Sequence, residues 1–151
     1  GTRPQTSIGR VNLQVRQATP DELVDVMRLF DGALLETNSD RIKRQLTGSR
    51  GCILVAGEER PLGAIALSTA AVDDRPAEWA DAVHISAIAV HPQRRGQGLG
   101  RSLLAAAAER AAPRPLSATF DERVKGFYTA CGFEITERDG RLWAVRPVGS
   151  G

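Results

Sequence analysis

Two cysteines, two histidines, one tyrosine and one methionine are all that 151 residues contain of these four types. Cys52 and Cys131 stand far apart without a Cys-x-x-Cys pair, which excludes a zinc-ribbon spacing and a disulfide framework and suggests a reducing compartment. No metal is expected. No apolar run approaches the ~20 residues that cross a bilayer. The stretch Gly1 to Arg10 is polar and lacks the apolar segment of a signal peptide. A soluble, cytoplasmic protein without a membrane partner is therefore expected. Charge of one sign is scarce too: 20 Lys and Arg face 18 Asp and Glu, a net charge of +2. The basic residues form no stripe, so no nucleic-acid partner is expected.

With 42% hydrophobic residues, the chain can fill one core and is too short for two ordinary domains. We expect one α/β domain over residues 1–151, with residues 1–10 a flexible N-terminal segment. Leu13 to Ala18 reads as a strand, and Thr19-Pro20-Asp21-Glu22 opens a helix with a cap, a first-turn proline and a capping-box glutamate. Leu23, Val26, Met27, Phe30 and Leu34 give that helix its apolar face, and Asp40 to Leu46 reads as a shorter second helix. Cys52 to Ala56 and Leu62 to Ala70 form an antiparallel hairpin, and Ala71 to Asp81 is a polar connection. A strand over Val83 to Val90, a helix from Leu99 to about Ala111 and a strand over Leu116 to Phe120 follow. Asp121 caps a helix through Ala130 with Gly132 at its C′ position. Phe133 to Glu137 and Leu142 to Val148 pair around Asp139-Gly140.

The chemistry gathers where the apolar run Val83 to Val90 passes through His91-Pro92 into Arg95-Gly96-Gln97-Gly98-Leu99-Gly100-Arg101 and then a strong helix former. Glycines let successive backbone N–H groups turn to one point, and the helix dipole favours negative charge there. Arg94, Arg95 and Arg101 add guanidinium groups that match phosphate oxygens. A ligand bearing phosphate or pyrophosphate is implied. The loop is neither a dinucleotide-binding loop, which needs a third glycine where Arg101 or Leu103 stands, nor a P-loop, since no Gly-Lys-Ser or Gly-Lys-Thr occurs.

The pattern Arg95-x-x-Gly98-x-Gly100 resembles the coenzyme-A signature of the GNAT superfamily of N-acetyltransferases. Phe127-Tyr128-Thr129-Ala130-Cys131-Gly132-Phe133 resembles the Phe-Tyr-x-x-x-Gly-Phe motif that closes the same fold. The resemblance implies a single-domain GNAT fold, a mixed central β-sheet flanked by helices, and transfer of acetyl from acetyl-CoA directly to a primary amine of a small molecule or a peptide. The pantetheine arm would pair with backbone near Ile88 and Val90, and the backbone near Ile88 or Ala89 would polarise the thioester carbonyl. Backbone N–H groups of Arg95, Gly96, Gln97, Gly98, Gly100 and Arg101 would hold the pyrophosphate.

By the same resemblance Tyr128 is a general acid toward the departing thiolate; a core aromatic with a bonded hydroxyl is the structural alternative. His84 falls where several relatives carry a base for the acceptor amine, with Ser86 next on the same strand face, while a structural histidine or a water relay stays open beside it. Asp121 stands where relatives often place an asparagine on the pantetheine; an ionised carboxylate accepts but cannot donate, and capping alone would account for it. The loop Asp73 to Asp81 holds four carboxylates around Trp79, either an attractor of a cationic amine or an ordinary solvated loop. Cys52 and Cys131 have no motif support as nucleophiles, so no covalent acetyl-enzyme is expected. A non-catalytic acyl-CoA-binding regulatory module is the rival reading. A monomer or a homodimer fits equally.

Overall fold

The strands alternate in which face they bury, and that alternation builds a sheet with a helical layer on each side. The computed structural model describes residues 15–32, 51–57, 60–69, 75–91, 98–120 and 122–146. Their strands are β1 (Val15–Gln17), β2 (Gly51–Ala56), β3 (Gly63–Ser68), β4 (Val83–Val90), β5 (Leu116–Phe120), β6 (Glu134–Arg138) and β7 (Arg141–Arg146). The helices are α1 (Leu23–Gly32), α2 (Leu99–Ala111) and α3 (Lys125–Ala130). The sheet order is β1-β2-β3-β4-β5-β7-β6, antiparallel throughout except for β4 beside β5. Parallel neighbours need a crossover, which α2 provides.

One face of β2 and β3, with Ile53, Val55, Ala64 and Ala66, packs on Val26, Leu29 and Phe30 of α1. The other face, with Leu54, Ile65 and Leu67, packs on Leu99, Leu103, Leu104 and Ala107 of α2. The apolar stripe expected for α1 is present at Leu23, Val26, Met27 and Phe30, while Leu34 and the expected helix over residues 40–46 lie outside the described residues.

The expected limits of β4, α2 and β5 match the structure. The last helix is shorter than expected: residues 122–124 form a single 3-10 turn, and α3 begins at Lys125 with Val124 in the capping place. Gly132 does sit in the left-handed region just past α3, at φ +89. Asp139 and Gly140 are both left-handed, at φ +55 and +78, which gives the tight turn between β6 and β7 the twist of its strands.

Arg16 on β1 is joined to the entry of α1, donating from Nη1 and Nη2 to the two carboxylate oxygens of Glu22 at 2.9 and 2.7 Å. The Thr19 backbone N–H donates to the same carboxylate at 3.0 Å. These bonds, the guanidinium's foremost, hold the Glu22 carboxyl down at about 2 against an ordinary 4.5. A carboxyl whose pKa is lower folded than unfolded stabilises the fold fully above its unfolded value, and that stability is lost as pH falls through the folded one. Arg16→Gln is therefore expected to flatten the fall in melting temperature between pH 4.5 and 2. An unchanged slope would mean that the pair contributes nothing to acid stability.

Candidate active site

A bulge and a parting of strands make the site. Leu67 of β3 pairs with Ile85 of β4 and Ala66 with Ala87, so β4 carries one residue more than β3 at Ser86. The inserted residue reverses the alternation. Val83 and Ile85 face the α2 side before it, Ile88 and Val90 face that side after it, and Ala87 and Ala89 turn to α1. The bulge falls two residues beyond His84, and the Ser86 hydroxyl donates to the Ala66 carbonyl at 3.2 Å. Beside β5, β4 pairs only through Val83 with Leu116 and His84 with Ser117. Beyond them the pairing stops, and the candidate cleft is the gap this leaves along Ile88, Ala89 and Val90.

The first turn of α2 stands at the mouth of this cleft. Gly98 caps it in the left-handed region, at φ +84, with no side-chain cap, and the first helical bond runs from Ser102 N–H to Gly98 C=O at 3.0 Å. The N–H groups of Leu99, Gly100 and Arg101 precede that bond and have no acceptor within the helix. Gly100 has a packing reason as well: a Cβ there would lie 3.1 Å from the Phe127 ring and 3.9 Å from Val90. Of the residues expected to hold phosphate, Arg95, Gly96 and Gln97 lie outside the described residues, as does Asp121.

Tyr128 lies in the core cluster that Ile88 and Val90 pack against. It is 4% exposed, with ring centroids of Phe120, Phe133 and Phe127 at 5.0, 5.2 and 5.4 Å. Its hydroxyl has no hydrogen-bond partner among the described residues, a costly state for a buried polar group unless a ligand completes it. Burial, with a smaller push from Cys131, raises its pKa to about 12.

His84 is 9% exposed at the apex of the parting, its Nδ1 lying 3.1 Å from the Ser117 hydroxyl and its ring 6.1 Å from that of Trp143. Arg75 donates to the same hydroxyl at 3.4 Å and to the carbonyls of Ala80 and Ala82, each at 2.9 Å. Tyr128 belongs to the core on the α2 side, whereas His84 lies on the opposite face of β4 from Val83 and Ile85. The two residues expected to do chemistry therefore flank the parting from opposite faces.

Sequence reasoning missed Trp143, Ser117 and Arg75, the surroundings of His84; only strand alternation along Leu142 to Val148 hinted at Trp143. In the acidic loop, Glu78 pairs with Arg138 at 2.8 Å and the Arg138 guanidinium sits 5.4 Å from the Trp79 ring, which leans on Trp143 at 6.0 Å. The chain's own cation occupies the place imagined for an amine; Asp73 and Asp74 lie outside the described residues.

A family model described as Acetyltransferase (GNAT) domain matches residues 49–135, more than half of the chain. The chain belongs to the GNAT family. Among solved structures, Arabidopsis thaliana NAA60 in complex with acetyl-CoA has a TM-score of 0.74 at 11% identity, covering 89% of this chain and 97% of that one. Escherichia coli YhbS in complex with CoA has 0.66 at 19%, covering 94% and 84%. GphF, a GNAT-like decarboxylase in complex with isobutyryl-CoA, has 0.68 at 19%, covering 89% and 98%. At these identities the likeness is one of fold. No curated protein sequence matches the chain. Among the described residues no group of three or more His, Cys, Asp or Glu is placed to hold a metal ion, and no helix is long and apolar enough to cross a membrane.

Tyr128 is the only tyrosine, so its ionisation can be followed by ultraviolet absorbance without overlap from another phenol. The folded chain is expected to titrate near 12 rather than near 10. A midpoint near 10 before unfolding would show a solvated phenol and a different arrangement of the cleft.

Proposed function

We propose that this GNAT protein is an N-acetyltransferase that moves acetyl from acetyl-CoA directly to the primary amine of a small molecule or a peptide, in the cytoplasm. The single observation that carries the reading is the buried Tyr128 hydroxyl, without a hydrogen-bond partner among the described residues, in the core that takes in Ile88 and Val90 of β4 past the end of the pairing with β5. The uncapped start of α2 agrees with it, because open N–H groups at a helix N-terminus suit a pyrophosphate.

Acetyl-CoA supplies a thioester already activated toward amines. Backbone N–H groups near Ile88 or Ala89 polarise its carbonyl, while β4 and the first turn of α2 orient the pantetheine and pyrophosphate. The amine nitrogen forms a bond to the carbonyl carbon, the carbon–sulfur bond breaks, and the Tyr128 hydroxyl donates to the sulfur as charge develops there. The amine's proton leaves to His84 or to a water it holds. Approach of the amine from the His84 face and of the thioester from the Tyr128 face suits a direct transfer that needs no cysteine.

Calorimetry with acetyl-CoA, followed by free-thiol release across polyamines, amino acids, aminoglycosides and peptides, tests the reading. Micromolar binding with amine-dependent release is expected. Binding without release from any amine would favour a non-catalytic acyl-CoA-binding module, and no binding would remove the reading. Tyr128→Phe is expected to lower turnover by about 10²-fold, with acetyl-CoA affinity little changed. Unchanged turnover would remove Tyr128 as the acid.

A further inference from the structure

At the closed end of the β4–β5 seam, away from the cleft, lies a groove of about 310 Å³. Leu67 and Val83 come to it from β3 and β4, Ala111 and Arg110 from the last turn of α2, and Arg114 from the link into β5. That volume is at the small end of the range for ligand sites, which begins at about 300 Å³. We propose that this groove is a binding site for a small organic dicarboxylate.

Charge is the first argument. Arg110 and Arg114 both line the groove, no described lining residue is acidic, and neither guanidinium makes an ion pair among the described residues. Arg114 is also held in place. Its Nε donates to the Asp81 carbonyl at 2.6 Å, which fixes the guanidinium plane and leaves the terminal nitrogens to other acceptors. A third cation stands close by: after burial, repulsion from Arg114 is the next cause of the lowered Arg75 pKa, opposed by the Asp81 carboxylate. The Cys52 thiol in the lining adds no negative charge, because burial pushes its pKa up while Arg110 pulls weakly the other way.

The rest of the lining is the second argument. Leu67, Val83 and Ala111 are each buried to above nine-tenths, and they offer an apolar surface to carbon rather than to a bare ion. Two guanidinium groups and an apolar surface in one groove match a short carbon chain with two carboxylates better than an inorganic anion. The rim has little freedom to change. Gly51 sits at φ +140, where a Cβ would run into the Leu67 carbonyl oxygen, so only glycine keeps this edge of the groove.

Succinate is the probe. Calorimetry on the full chain, with amide shifts at Thr69 and Ala111 followed in parallel, is expected to show saturable binding in the millimolar range or tighter. Arg110→Ala and Arg114→Ala are each expected to weaken it by at least about tenfold. Arg110 is exposed and Arg114 half-buried, and unchanged melting temperature and acetyl-CoA affinity would show that the variants fold. Inorganic phosphate at matched ionic strength is expected to give no saturable shift at these amides. Absence of succinate binding, equal binding by phosphate, or full binding in both variants would each overturn the proposal, whatever becomes of the acetyltransferase reading.

Discussion

Val83 with Leu116 and His84 with Ser117 are the two residue pairs that hold the halves of the sheet together. On one side of them β1 to β4 form an antiparallel unit, and on the other β5, β7 and β6 form a second. A longer seam would close the cleft, and a shorter one would leave the halves joined only through helix packing. The bulge at Ser86 keeps the seam short, because an extra residue bends the strand and increases its twist just where the pairing with β5 stops. It also keeps the core intact across the bend. By reversing the alternation it returns Ile88 and Val90 to the α2 face, where Ile65 and the helix receive them.

The seam has two ends, and each has its own chemistry. At the open end backbone groups dominate: the edge of β4 and the first N–H groups of α2, with one buried hydroxyl. At the closed end guanidinium groups dominate, at the far end of the same helix. One crossover helix therefore sets the spacing of both places, which is why its length of 13 residues matters more than its weakly amphipathic sequence.

Much of this architecture could be read from the residues. Val83 to Val90 is a run of β-formers and Leu99 to Ala111 a run of helix formers, and local preference and burial agree in both. Asp139-Gly140 named its own turn, because few other dipeptides accept two left-handed residues in succession. The bulge could not be read, since Ser86 looks like any polar residue in an alternating strand and its place at the bulge is decided by the register of β3. The loop around Trp79 left two readings open for a similar reason. Its carboxylates fitted either a foreign cation or an ordinary solvated loop, and Arg138, some sixty residues later, pairs with Glu78 and covers the ring. Contacts between elements distant in sequence leave no periodic trace.

The burial of Tyr128 limits what its hydroxyl can do. A thiol titrates near ~8.5, and the phenol is held near 12, so full transfer of its proton to a thiolate runs uphill by more than three powers of ten. Within the proposed reaction the phenol acts chiefly as a hydrogen-bond donor whose contribution grows as negative charge gathers on sulfur, and the product thiol takes its proton from a pool less tightly held. The aromatic cage of Phe120, Phe127 and Phe133 serves this role twice over. It keeps the hydroxyl protonated at every physiological pH, and because the hydroxyl has no acceptor among the described residues, none of them competes with sulfur when the thioester breaks.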